Sequence, residues 1–312
     1  MAIRFPIDPV RSGIVAFIEL ECQVKRLVSL FRCVAISQIM DIKRHSLNQS
    51  FTWHDAEPPF HIINDRQCVS WNESGYFLLE NAFDRSELDR LIKAIDPFEK
   101  QTNEYLRTIK DKRRFIARAD ELTFALHMVM QSDVARAFSK HDVFVQLCLD
   151  LLGPDCRLYW DQAVYKKPYC SEEFPWHQDN GYNFVTPQDY LTCWVPLVDA
   201  TIDNGCPWVM PGINQQGTLE HWHTDLGWQC LEGIEDAVPV EAKAGDVIVF
   251  SSLTPHRTGP NKTDKERKSY ILQYCHEGSV MVAHDDENAL NHRPQNHPNR
   301  QYPIVVDGEG VS

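Results

Sequence analysis

The chain has 312 residues, a net charge of −13 at neutral pH, and 43% apolar and 24% charged residues. That length buries a sizeable core in one or two domains, and the acidic balance argues against a general nucleic-acid or anionic-membrane binder. Ten scattered cysteines without a Cys-x-x-Cys pair point to free thiols in a reducing, cytoplasmic setting, and no run of about 18 uncharged apolar residues predicts a membrane span.

In chain order, residues 1–45 carry two apolar clusters, Ile14–Ile18 and Leu27–Phe31, interrupted by Glu19, Glu21, Lys25 and Arg26. This reads as an amphipathic helix, because a secretory signal would lack those charges. Met40 opens an ordinary N-terminal sequence, so the segment before it is expected to be an appendage. Residues 46–64 look like a polar, proline-containing linker. The division is therefore an extension and linker over 1–63 and one domain over 64–312.

Val69 to Leu79 suggests the strand that opens this domain. Ser86 to Ile95 predicts a helix capped by Ser86, with Leu88, Leu91, Ile92 and Ile95 at helical spacing. A second helix is expected from Asp142 to Leu152, ending at Gly153-Pro154. From Arg157 onward, short β-rich runs alternate with Gly, Pro and Asn turns. Helices followed by many strands predict a mainly-β jelly roll with flanking helices. The tail after His276, with His284, His292 and His297, reads as irregular and surface-packed, with Tyr302–Val306 returning as a strand.

The most informative stretch is Trp176-His177-Gln178-Asp179. In an extended strand, residues i and i+2 point to the same side, so His177 and Asp179 converge. They supply two thirds of a 2-His-1-carboxylate face, the arrangement that holds non-heme Fe(II) and leaves positions open. A lone His-x-Asp is a weak signal, and satisfied core polar residues are the alternative. His256 follows the buried run Val247–Phe250, and Arg267 lies eleven residues further on at the start of another β-rich run. The turn-rich connection Thr258–Asp264 places His256 and Arg267 on neighbouring antiparallel strands. An arginine fork suits a carboxylate, since it pairs bidentately and stays charged; a surface ion pair with Glu266 or Asp264 is the alternative. His221 and His223 form a further His-x-His in a loop, read as lining a substrate mouth or as having no role rather than as a second metal site. Lys166 and Lys167 read as solvated strand ends, with a contact for an anionic substrate as the alternative.

Five stretches, in order, resemble the phytanoyl-CoA dioxygenase family of Fe(II)/2-oxoglutarate oxygenases. They are Trp160–Pro168, Trp176–Asp179, Cys193–Leu197, Asn204–Gly212 and His256–Arg267. The resemblance implies a double-stranded β-helix, cupin-like fold. It also implies iron ligands His177, Asp179 and His256, 2-oxoglutarate anchored on Arg267, and O2 as the second cosubstrate. Thr258 matches a hydroxyl position that supports the same carboxylate, and Gln162 and Trp194 match positions lining the cosubstrate pocket. Asp179 stands where halogenating members carry a small residue, so hydroxylation of an unactivated C–H with release of succinate and CO2 is expected. A catalytically silent binding protein or a metal-dependent cupin isomerase is the alternative, though an isomerase has no use for Arg267. The family's name suggests an acyl-CoA substrate. The stretches 180–190 and 215–236 contain no Lys or Arg, and Tyr182, Phe184, Trp222 and Trp228 lie within them. A smaller or uncharged small molecule is therefore expected.

Overall fold

The computed structural model describes residues 42–234, 236–284 and 289–311. The predicted N-terminal amphipathic helix, Met40, Cys22 and Cys33 lie outside the described residues. The eight described cysteines are all free thiols. No helix among the described residues is long and apolar enough to cross a membrane.

The fold is mainly β, a double-stranded β-helix with flanking helices. Its larger, antiparallel sheet has ten strands. From the Tyr76–Leu79 edge the order runs through Val247–Ser251, Leu191–Pro196, Arg267–His276, Cys156–Lys166 and Leu122–Leu126, then a short hairpin at Ala117–Arg118 and Arg113–Arg114. Pro303–Val306 pairs with the start of Cys156–Lys166, so the predicted C-terminal strand is present. Alternation along each strand divides the side chains between two faces. One face packs Ala163, Tyr165, Cys193, Val195, Val249, Tyr270, Leu272 and Tyr274 against helical residues Leu88, Leu91, Ile95, Phe138 and Phe144. The other turns Val164, Trp194, Ile248, Phe250 and Ile271 toward a smaller sheet.

That smaller sheet is also antiparallel, in the order Val238–Pro239, Pro207–Val209, His256–Thr258, Phe174–His177. Beside its last strand lies the hairpin Trp222–Thr224/Gly227–Gln229, tied by the Cys230 amide donating to Trp176 O at 2.8 Å. At the far edge of the larger sheet the Arg113 guanidinium donates to the Asp225 carbonyl in the turn of that hairpin.

Three local expectations change. Residues 65–74 form a helix, not a strand. Asn64 and Gln67 make a reciprocal capping box, and Gly75, at φ 75°, stops the helix before the strand Tyr76–Leu79. A Cβ on Gly75 would stand 2.5 Å from both Asn214 and Thr254, so the stop signal also serves close packing. The next helix runs Arg85–Thr108 and is capped by Asp84, with Glu87 reciprocating; Ser86 falls inside the first turn. The tail is more regular than expected, because Leu290–Pro294 pairs with Val280–His284, which also pairs with Val185–Thr186. The helix at Asp142–Leu151 forms where predicted.

Residues 43–63 are tied to the loop at 216–220 and to the helix Asp142–Leu151. Asn48 Nδ2 donates to Gln216 O and Thr218 O, both at 2.9 Å. Further along, the Asp150 carboxylate accepts from the backbone amides of His61, Ile62 and Ile63.

Candidate functional site

His177 is the last residue of its strand, and His256, the first residue of the next, lies directly opposite it. Gln178 keeps an extended backbone (φ −103°, ψ 143°), so the alternation carries through to Asp179, although Asp179 itself opens a 3-10 turn rather than continuing the strand. The imidazole centroids are 4.1 Å apart. Asp179 Oδ1 stands 3.9 Å from His177 Nε2 and 3.8 Å from His256 Nε2. All three ligating atoms fall within 4.8 Å of one another, a spacing that could hold one metal ion.

Their partners fix which atoms are offered. His177 Nδ1 lies 2.8 Å from Pro175 O and His256 Nδ1 3.0 Å from Thr254 O. A carbonyl only accepts, so each Nδ1 carries the proton and each Nε2 lone pair faces Asp179. Asp179 Oδ2 accepts from the Thr192 hydroxyl at 2.6 Å, leaving Oδ1 for the same point. Burial, reinforced by the neighbouring His256, lowers the His177 pKa well below its ordinary value, which favours the neutral, ligating form.

Gln178, between the two converging residues, is a fully buried tie. Its Nε2 donates to Leu253 O at 2.5 Å and Gly217 O at 3.0 Å, and its Oε1 accepts from the Leu219 amide at 2.6 Å. Its own amide donates to His221 Nε2 at 2.9 Å, while His221 Nδ1 donates to Leu219 O. A Cβ on Gly181 would come within 2.0 Å of the His221 ring, so the turn after Asp179 is built flat against that imidazole. Thus His221 braces the turn and is not one of the clustered ligating groups. His223 meets the edge of Trp228 instead. Tyr182, 37% exposed, stands edge-on to His177, and Phe184 stacks on His45.

Arg267 does not sit on a strand neighbouring His256. The turn after Thr258 crosses from the smaller sheet to the larger one, so the two residues face a common cavity from opposite layers. Gln162, Thr192, Trp194, Thr258, Phe174 and Phe250 line that cavity. Arg267 is 1% exposed; its Nη1 donates to Ser269 Oγ at 2.8 Å, its guanidinium lies 5.4 Å from the Trp194 ring centroid, and its buried Nε has no partner. Among the described residues no carboxylate pairs with it; Glu266 turns to Lys167 and Lys268. Burial lowers its pKa to about 10, which leaves it charged at neutral pH. Gln162 Oε1 accepts from Trp160 Nε1 at 3.2 Å.

Lys166 is buried, not a solvated strand end. It pairs in register with Arg267, and its Nζ donates to Glu172 O at 3.0 Å, to Gly259 O and to Thr258 Oγ1 at 3.4 Å. Lys167 is partly buried in ion pairs with Glu99 and Glu266. The sequence carried no separate signal for the supporting roles of Gln178 or Thr192, since both depend on partners set by the fold.

The phytanoyl-CoA dioxygenase (PhyH) family profile matches residues 71–269. A methylphosphonate hydroxylase from Gimesia maris is 26% identical over 221 residues, covering 68% of this chain and 80% of its own. A phytanoyl-CoA dioxygenase from Arabidopsis thaliana is 30% identical over 129 residues, 39% of this chain and 46% of its own. The chain thus spans most of the first relative and about half the length of the second. Among solved structures, the α-ketoglutarate-dependent carbocyclase SnoK from nogalamycin biosynthesis superposes with a TM-score of 0.63 at 18% identity, covering 78% of this chain and 97% of its own. EvdO2 from Micromonospora carbonacea var. aurantiaca, complexed with 2-oxoglutarate, gives 0.51 at 23% identity, over 78% and 98%.

Proposed function

Because this chain belongs to the phytanoyl-CoA dioxygenase family of Fe(II)/2-oxoglutarate oxygenases, we propose that it hydroxylates an unactivated C–H bond of a small organic molecule. The balanced reaction is substrate, O2 and 2-oxoglutarate giving the alcohol, succinate and CO2. The observation that carries this reading is the buried, carboxylate-free Arg267 facing the His177–Asp179–His256 cluster across one cavity. A metal-binding cupin of another class has no need of such a cation.

In this reading His177, Asp179 and His256 hold Fe(II), which supplies the redox chemistry with oxygen. The donor set fits: two imidazoles with Nε2 turned inward and one carboxylate oxygen. Arg267 takes the distal carboxylate of 2-oxoglutarate through the guanidinium edge that no protein group uses. Thr258, Gln162 and Trp194 shape the same compartment. Phe174, Phe250 and Trp194 keep it apolar, which strengthens the ionic contact and limits bulk water. Asp179 fills the third protein position, favouring hydroxylation over halogenation.

The substrate is read as small. The Gimesia relative is described as a methylphosphonate hydroxylase and another, 28% identical over 126 residues, as a 2-aminoethylphosphonate dioxygenase. Anaerobic titration of the protein with Fe(II) and 2-oxoglutarate tests the core assignment through the weak visible charge-transfer band. Succinate release is then compared across methylphosphonate, 2-aminoethylphosphonate, free acids and acyl-CoAs. Absence of the band rejects the iron and 2-oxoglutarate assignment, and turnover that requires the CoA moiety rejects the small substrate.

A further inference from the structure

Resting on that reading of the cavity, we propose that Lys166 is a positioning residue for the cosubstrate. It holds the Thr258 hydroxyl so that its proton points at the distal carboxylate, and it places a second buried positive charge behind Arg267.

An ammonium has three donors and no acceptor. Those of Lys166 go to Glu172 O, Gly259 O and Thr258 Oγ1. Since the Thr258 oxygen accepts from Lys166, its own hydrogen is left to be donated elsewhere. Thr258 lines the cavity together with Arg267, so an acceptor arriving there meets both a hydroxyl proton and the unpaired guanidinium edge.

Charge gives the second line. Lys166 and Arg267 lie opposite one another on paired strands, and both are essentially inaccessible to solvent. Two buried cations side by side are unfavourable unless an anion joins them. The charged or titratable groups facing Lys166 are Arg267, Cys170, Glu172 and Glu173. Both glutamates are engaged elsewhere, Glu172 with Arg118 and Glu173 with Arg257. Burial, then Arg267, pull the Lys166 pKa down to about 7, as expected for a cation without its counter-ion. A carboxylate at Arg267 supplies that missing charge. The bond from Asn261 Nδ2 to Lys166 O locks the same strand end to the crossover turn, so the lysine has little freedom to turn away.

The test compares two oxoacids on the Fe(II)-loaded protein without oxygen, with binding read by calorimetry and the charge-transfer band. 2-Oxoglutarate carries the distal carboxylate; 2-oxobutyrate does not. Lys166→Met should weaken 2-oxoglutarate about tenfold, the scale of a hydrogen bond to a charged group, and leave 2-oxobutyrate unchanged. Thr258→Val should lose the hydrogen-bond share of the same effect, and the double variant should be little worse than Lys166→Met alone, because both remove one relay. Lys166→Arg should recover part of the loss. Unchanged 2-oxoglutarate affinity, an equal loss for both oxoacids, or additive single effects overturn the proposal and leave Lys166 a structural tie. If Lys166→Met fails to fold, the intact protein still decides. The preference for 2-oxoglutarate over 2-oxobutyrate should shrink as pH rises through 7 and Lys166 loses its proton; a ratio constant from pH 6 to 8.5 overturns it. If the intact protein binds neither oxoacid, the functional reading fails, not this inference alone.

Discussion

The two faces of the large sheet are made from the same strands, one residue out of step, yet they treat polar atoms differently. On the helix side, the buried tyrosines close their own accounts: Tyr165 donates to Asp96, Tyr270 to Asp161 and Tyr274 to Ser139 O. The exceptions are Trp53 Nε1 and the pair Asp161 Oδ1 and His127 Nδ1, which stand 3.9 Å apart without a hydrogen bond. On the cavity side, the second ring nitrogens of His177 and His256, Asp179 Oδ1 and Arg267 Nε remain open within one lined space. Most polar atoms on the helix side are paired, and those left over are scattered rather than gathered around one space. The cavity side holds unspent bonding capacity, and that capacity marks a ligand.

The contrast breaks most sharply at the triad. His177→Ala, Asp179→Ala and His256→Ala should each abolish iron binding or turnover while circular dichroism stays native; normal succinate formation by any one removes that residue from the ligand set. A matched pair of substitutions comes next. Leu91→Ala on the helix side should cost about 2–5 kcal/mol of stability, as a buried leucine does, with 2-oxoglutarate affinity kept. Arg267→Ala should do the reverse, weakening 2-oxoglutarate by roughly 2–5 kcal/mol with iron affinity kept. Denaturation curves and titrations on both proteins reveal whether the faces are separable; equal effects on both readouts would merge them. Smaller still, Thr192→Val removes the bond that orients Asp179, together with a longer one from Gln273 Nε2, and should reduce Fe(II) affinity by about 10–100-fold, as loss of a group behind a metal ligand does. The least effect is expected from deleting residues 1–39, which should leave both melting temperature and 2-oxoglutarate turnover intact.

How much of this was legible depended on the range of the signal. The His177-x-Asp179 spacing works because Gln178 is extended, and that follows from local alternation. Arg267 was legible as a type of residue at a distance, but its layer was not, since a turn-rich connection does not say whether the chain folds back or crosses over. The strand expected at Val69 was a helix because apolar content outweighed the Asn64–Gln67 cap, a two-residue signal. Lys166 looked solvent-exposed because charge predicts exposure, whereas here the nearby Glu172 carbonyl and two acceptors from the distant turn at 258–259 enclose it. Helix caps and turns are local and readable; which strand lies against which is decided by tertiary packing.

The short segment just after residue 42 has a reach beyond its size. Lys43 O accepts from the Glu220 amide, the His45 amide donates to Thr218 O, and Asn48 grips Gln216 and Thr218. The loop so held supplies Gly217 and Leu219 to Gln178, and Thr218 to Asn180, the residues on either side of Asp179. A polypeptide trimmed at residue 39 keeps this strap, and one trimmed at residue 49 loses it without losing any cavity side chain. For anyone expressing the isolated barrel, poor iron loading would then be a symptom of where the cut was made, not of a defective centre.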